Sequence, residues 1–580
     1  MEVKTMLKKF ATVIMAAVTA LGAGSLFSGC GEQIDTPVDE TKTQLYIGNY
    51  DGGVGTQWLY EAASRFEEKY KDTEFEPGTG KKGVEVRINP DKTMFHGGNI
   101  LMKLPSIKEQ IVFTEQVDYD VFASSGSLAD VSDIFKDPLS DFGETESIYD
   151  KTDPAIKEYL NFNGKVYAVP HYRLLTGLQY NVDLFEDYGF YFNADASGFV
   201  SPGTTAEEET RSKGPDGKTG VIDGIDYSYD DGLPATYDEF FRLCEYMYDN
   251  SVMPLIWTGQ NRAQYAGGLT WSLYADYEGR EKFMKNFNFS GDVDDIVTSF
   301  DNGKPVLKTE TITPEKGYLL RQQVGRYYAL DFMERLVKGG YCDPKSFSLT
   351  FSHLMAQTEF VSRWCDGVKD ANLPSDTWPI AMLDDGNWWE NEASLNVSEG
   401  FGLAETIFGE AGKKENRRFA MMPLPKVSTK QVGDVFSLAE NNTSYAFINA
   451  YTTKDENILK LAKLFIQFCS TDQEMQYFTA KTGVPKGLSY DMPEEYLNEM
   501  TYYQQSVWHI NSTADVICPY SSAKIYRNNA SSLRFGTDWM TPTFNIAVDA
   551  FHENKIDAVG FFNGMAMSEA DWENKYSKDF

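Results

Sequence analysis

Residues 161–185 read Asn-Phe-Asn-Gly-Lys-Val-Tyr-Ala-Val-Pro-His-Tyr-Arg-Leu-Leu-Thr-Gly-Leu-Gln-Tyr-Asn-Val-Asp-Leu-Phe. Asn163-Gly164 is a turn signal, because both residue types tolerate a positive φ. Residues 165–169 form a short β-rich run, and Pro170, which lacks the N–H a ladder needs, predicts its end. A second extended run covers 174–180 and stops at Asn181. Two strand-like pieces meeting at a proline corner mark a point where the chain changes direction or sheet.

Toward the N-terminus, residues 44–50 read as a strand, Asp51-Gly52-Gly53-Val54-Gly55 as a turn, and a helix is predicted from about Thr56. Its Trp58, Ala62, Phe66 and Tyr70 recur at i+4 beside Leu59 and Ala63, so Trp58 is assigned to a buried face. Residues 83–88 alternate Val84, Val86 and Ile88 with Glu85 and Arg87, a half-buried strand. Strand, turn, helix, strand is a βαβ unit and implies a parallel sheet. Residues 119–123 are expected to add another strand. The glycine turn lacks both dinucleotide spacing and a P-loop lysine. A plain tight turn, or a helix N-terminus aimed at a ligand beside Asp51, fits it equally.

Toward the C-terminus, residues 193–233 and 286–313 are polar, weakly periodic insertions. Thr236-x-x-Glu239 and Thr471-x-x-Glu474 are capping boxes. Helices are predicted over about 317–337 and 353–365. Strands are predicted over 253–257, 379–383, 419–424 and 443–449. Elements alternate throughout, so the class is α/β.

The chain carries 53 Lys+Arg and 86 Asp+Glu, a net charge of −33. Such a surface repels phosphate backbones and excludes nucleic acid as an expected partner. Lys4, Lys8 and Lys9 precede an apolar run over 10–21, the layout of a signal peptide. It ends in Leu26-Phe27-Ser28-Gly29-Cys30, which resembles a bacterial lipobox and makes Cys30 the lipidation site, with Phe27 where Leu is usual. Residues 1–29 are thus expected to be a signal peptide and 30–43 a tether. The other cysteines, Cys244, Cys342, Cys365, Cys469 and Cys518, are odd in number and form no C-x-x-C pair. Neither a zinc site nor a disulfide framework is indicated, and no cofactor is expected. The remaining ~550 residues exceed what one core fills, so at least two domains are expected.

Tyr-Ala-Val-Pro followed by Gly-Leu-Gln-Tyr-Asn-x-Asp-Leu-Phe resembles the crossover of extracellular solute-binding proteins of family 1, the maltose-binding-protein-like group. The lipobox, the first βαβ unit, Ile-Ala-Met-Leu-x-x-Gly-x-Trp, and Ala-Lys-Leu-Phe-Ile-Gln-Phe with Gly-Val-Pro resemble the same family in the same order. The resemblance implies a two-lobed periplasmic-binding-protein-like fold (type II), each lobe a sheet flanked by helices. It implies lobe one at 44–178 plus 437–492 and lobe two at 179–436 plus 493–580. It further implies a monomeric, non-catalytic lipoprotein on the extracytoplasmic face of a bacterial membrane. Such a protein captures a carbohydrate between its lobes and passes it to an ABC transporter permease.

A sugar presents a weakly apolar C–H face and a rim of hydroxyls, which call for stacked aromatics edged by carboxylates and amides. By the family motif Trp388 is the stacking residue, with Asp385, Trp389 and Glu392 beside it. Trp257, Gln260 and Asp51 stand at or just beyond strand ends, where ligands sit in open α/β sheets. His171 and Tyr172 lie at the crossover; Trp539 and Arg534 are candidates near the C-terminus. The acidic loop 216–231 does not match the EF-hand spacing, and a solvated loop is expected there. Rival readings are a surface glycoside hydrolase or lyase, which needs two facing carboxylates, and a binder of peptide or polyamine in the same fold.

Overall fold

The strands of the two main sheets are β1 (Thr43–Asn49), β2 (Val84–Pro90), β3 (Ile111–Thr114), β4 (Val169–Leu174), β5 (Thr176–Asn181), β6 (Met253–Ile256), β7 (Ile380–Gly386), β8 (Phe419–Met422) and β9 (Asn442–Ile448). The structure is a computed structural model describing residues 37–580 except 207, 366–377, 441 and 534–538. Residues 1–29 with the expected signal peptide, Cys30 and Arg534 lie outside the described residues. Of Met1–Lys42, the described part is a turn in which Asp39 accepts from the Thr41 N–H at 3.0 Å. Thr43–Phe580 packs as one compact unit.

The first sheet runs β2-β1-β3-β9-β4 and the second β8-β5-β7-β6. β1 is parallel to β2 and β3, as the βαβ reading required, while β9 runs antiparallel to both of its neighbours, β3 and β4. In the second sheet β5 is antiparallel to both β7 and β8, and β6 is parallel to β7. The helix Gln57–Lys69 buries Trp58, Leu59, Ala62, Ala63 and Phe66, the face its periodicity predicts. Thr236 and Thr471 each accept from the N–H of the glutamate three residues on, at 3.3 Å.

Some elements differ from the sequence reading. Residues 119–123 are helical, within Tyr119–Ser124, because Asp118 caps the first turn through the Val121 N–H; the strand is Ile111–Thr114 instead. The insertion around 286–313 is an antiparallel ribbon, Gly291–Asp301 with Lys304–Ile312. The helix expected from 317 starts at Val324, after a 3-10 segment Pro314–Gln322. The helix expected over 353–365 is His353–Ser362.

Asn163 and Gly164 take φ of 52° and 83°, closing the predicted turn. Pro170, however, lies inside β4 rather than ending a strand. β4 is the edge of its sheet, a place where proline is tolerated. The sheet switch is Leu175, between β4 and β5. Asn387 pins it: its Oδ1 accepts from the Leu175 N–H (3.3 Å), its Nδ2 donates to the Arg173 carbonyl (3.1 Å), and its own N–H donates to the Leu175 carbonyl (2.9 Å). Asn387→Ala would strand the buried Leu175 N–H, so we expect it to lower stability by about 1–2 kcal/mol in urea unfolding. An unchanged unfolding free energy in Asn387→Ala would show that the side chain does not hold the corner.

Candidate ligand site

The C-terminal ends of β1 and β7 meet through Trp388. Its six-membered ring lies across Gly386, where a Cβ would sit 2.0 Å from Cζ3. Its pyrrole edge lies under Gly53, where a Cβ would sit 2.7 Å from Cδ1. Glycines at 386 and 53 are therefore what let two backbones close on one half-buried indole. Gly53 belongs to the turn after β1, so the glycine turn serves contact rather than phosphate binding.

Carboxylates and amides gather beside this ring. The Gln357 amide donates to Asp385 Oδ2 and Glu392 Oε2, both at 3.0 Å. Asp385 Oδ1 accepts from the Gly386 N–H at 2.7 Å. Tyr265 meets Trp388 edge-on, ring centroids 6.4 Å apart. Its helix, Arg262–Phe283, comes that close because Gly268 leaves room for Thr176 and Ser272 donates to the Thr176 carbonyl at 3.0 Å. His353 Nε2 is 4.0 Å from Glu392 Oε1.

Opposite stand groups from the first sheet. Tyr50, next after β1, packs on His96 at 4.8 Å, and Tyr172 donates to Glu115, which follows β3. Burial raises the Glu115 carboxyl to about 7; the Tyr172 hydroxyl opposes this and the charge of Glu392 adds to it. Burial likewise lifts Asp385 well above the usual carboxylate range, with Glu392 adding to it and the Gln357 bond opposing it. Asp384 is raised by burial and by Asp385. The charge of Glu392 reaches Glu115, so carboxyls that follow β3 and β7 lie within electrostatic reach of one another.

The Glu115 shift predicts a pH dependence. Its folded pKa lies above the ordinary 4.5, so between about 4.5 and 7 the folded state holds more protons than the unfolded state. Stability therefore falls as pH rises through that window. Glu115→Gln should remove a loss on the order of 3 kcal/mol across the window, read as a flatter plot of denaturation midpoint against pH. An unchanged slope would place the proton elsewhere.

Sequence-predicted site residues fall into two groups. Trp388, Asp385 and Glu392 are brought to the junction, whereas Tyr172 is buried on the first sheet's side, its ring on Phe478 and its hydroxyl on Glu115. Asp51 lies beside it, exposed, accepting from the Thr56 hydroxyl at 2.7 Å. Trp389 is fully buried among Phe360, Phe401, Phe419 and Tyr503, because its position, one residue past Trp388, turns it to the opposite side of the helical turn. Trp257 is fully buried, its indole N–H donating to the Ser346 carbonyl at 3.0 Å. His171 is packed against Trp58, Phe113 and Phe478, with Nδ1 2.7 Å from the Lys486 ammonium. Trp539 packs on Tyr274 and Arg326. These four are core residues in this arrangement. Gln260 is exposed, held by its backbone N–H on the Phe351 carbonyl at 2.9 Å.

Gln357, Tyr265, Glu115, Tyr50 and His96 were not singled out from sequence. Periodicity reports only that a helical Gln or Tyr shares a face with its neighbours; which strand end that face meets is a tertiary matter. In the acidic loop, Asp230 is buried rather than solvated, accepts from the Asp216 N–H at 3.0 Å, and is raised to about 8 by burial and by Asp216. Among the described residues no group of three or more His, Cys, Asp or Glu is placed to hold a metal ion.

No protein-family profile and no curated protein matches the sequence. Solved structures do. A binding protein of an ABC transporter from Bifidobacterium animalis subsp. lactis, in complex with mannobiose, aligns with TM-score 0.50 and 13% identity over 93% of this chain and 95% of that one. The chain has that protein's fold, two-lobed and α/β. A cyclic alpha-maltosyl-1,6-maltose binding protein from Arthrobacter globiformis aligns at TM-score 0.49 and 13% identity, over 92% of this chain and 100% of that one. A chitin oligosaccharide binding protein aligns at 0.48 and 14%, over 91% and 100%.

Proposed function

We propose that this chain captures a neutral carbohydrate between its two lobes and delivers it to an ABC transporter permease. In this reading it is a monomeric family 1 solute-binding lipoprotein, held by a lipid on Cys30 at the extracytoplasmic face of the membrane. It carries no chemistry of its own. The lobes are the two sheets with their helices, joined at Leu175. The observation that carries the proposal is the half-buried Trp388 indole at the junction of the two sheets, edged by Gln357, Asp385, Glu392 and Tyr265. Ring plus amide plus carboxyl is the chemistry a sugar requires.

A cationic solute such as a polyamine is the second reading, favoured by the number of carboxyls at the site. Burial weighs against it, since it raises both Asp385 and Glu115 and so disfavours the charged forms a polyamine would need. A thermal-shift screen of the full-length chain against mono- and oligosaccharides, spermidine and peptides separates the readings, because a ligand of the folded state raises the midpoint. Stabilisation by a glycan without new reducing ends supports the proposal. Stabilisation by spermidine alone, or turnover of the glycan, replaces it with the polyamine or the hydrolase.

A further inference from the structure

The segments that follow three neighbouring strands of the first sheet converge. β1 pairs in parallel with β2 on one side and with β3 on the other, so their C-terminal ends lie side by side. Tyr50 follows β1, and its N–H donates to the Phe113 carbonyl of β3 at 3.0 Å. His96 lies in the segment after β2 and bridges to Glu115, the residue after β3. The C-terminal ends of adjacent parallel strands are where open α/β sheets hold ligands.

The two rings here lie face to face, centroids 4.8 Å apart and planes 32° apart, and both residues are half-buried. The Tyr50 ring rests on Gly52, where a Cβ would sit 2.2 Å from Cε1 and 2.8 Å from the hydroxyl oxygen. The next residue, Gly53, lies against Trp388 and Glu392. Consecutive residues of one turn thus hold the Tyr50 hydroxyl and the Trp388 pyrrole edge. Among the described residues neither the Tyr50 hydroxyl nor the His96 imidazole has a hydrogen-bond partner, and neither is shut off from solvent. Burial and the charges of Glu115, Glu392 and Asp51 raise the Tyr50 phenol, while burial and the Lys92 charge lower the His96 imidazole. Both groups are therefore neutral near pH 7, and each can donate and accept.

A phenol placed for packing alone would close its hydroxyl onto a protein partner, as Tyr172 does on Glu115. An open phenol and an open imidazole, neutral and two-way, match the hydroxyl rim of a sugar better than a formal charge. We propose that Tyr50 and His96 are the first sheet's share of the carbohydrate site, hydrogen-bonding the hydroxyls of a sugar whose apolar face lies on Trp388. This inference rests on the carbohydrate reading above. It gives the sugar contacts on both sheets, and such contacts are what let a ligand favour the closed arrangement.

Calorimetric titration of the full-length chain with mannobiose, cellobiose and diacetylchitobiose tests it. Tyr50→Phe keeps the ring and removes only the hydroxyl; His96→Phe keeps a ring and removes both nitrogens. Each should weaken the tightest of these sugars by about fivefold. The Tyr50→Phe chain should keep its parent's urea midpoint, because the lost hydroxyl holds nothing in the protein. Parent-like affinity in either variant, with Trp388→Ala still weakening the sugar, overturns the inference and leaves the carbohydrate reading standing. A fall in the Tyr50→Phe midpoint that matches the loss of affinity also overturns it, since Tyr50 is then a packing residue. Failure of all three sugars to bind the unaltered chain overturns both. If His96→Phe does not fold, Tyr50→Phe decides alone.

Discussion

Trp389→Ala lowers the unfolding free energy by about 3–5 kcal/mol, whereas the same change one residue earlier, Trp388→Ala, leaves the fold and weakens glycan binding by about 1–3 kcal/mol. The contrast follows from surroundings, since the side chains are identical. Trp389 is fully buried and contacts four aromatic rings at centroid distances of 5.2–5.8 Å. Its removal leaves a void in the smaller of the two core clusters, under β7 and β8. Trp388 is half-buried and lies between two glycines, so truncation uncovers little close-packed surface. Urea unfolding of both variants, with calorimetric titration of whichever glycan the thermal screen finds, reads the two effects separately. Unfolding of the Trp388→Ala chain would make that residue a packing element and remove the main support for a sugar site.

Gly53→Val is expected to reduce glycan affinity by about 10–100-fold, close to 1–3 kcal/mol of overpacking. A Cβ at 53 falls 2.7 Å from Trp388 Cδ1 and 3.0 Å from Glu392 Cγ. The ring's freedom to move is limited by Gly386, which lies against its six-membered part. Only the arrangement with both strand ends together pays this clash, so the equilibrium shifts toward separated lobes and the apparent affinity drops with the population of the closed form. Combining Gly53→Val with Trp388→Ala relieves the clash, so the double variant should lose less than the sum of the single losses. Strict additivity, or unaltered affinity in Gly53→Val, would mean the ligand is not gripped at this contact.

Where the sequence reading failed, competing local signals were close in strength. Pro170 looked like a terminator and is accommodated inside β4, the edge strand of its sheet. Residues 119–123 carry an apolar run that suits a strand, and one Asp118 cap tips them into a helix. Trp388 and Trp389 are adjacent and chemically alike, so no pattern of residue types separates a site residue from a core residue there. Gly53 was noticed as part of a glycine turn, but its reason for being glycine is an indole more than three hundred residues away.

The sequence alone determined the α/β alternation and the parallel βαβ opening, and it marked a change of direction or sheet at Pro170, five residues before the switch at Leu175, because periodicity, caps and turn residues are local and act over a few positions. It also marked Trp388, through a short motif at a strand end. Which carboxyls and amides share that indole, which tryptophans disappear into cores, and that Asn387 holds the corner were decided only by tertiary structure. Those facts depend on how separately formed elements are rotated against one another. That rotation is fixed by packing between segments far apart in the chain, and neighbouring residues carry no record of it.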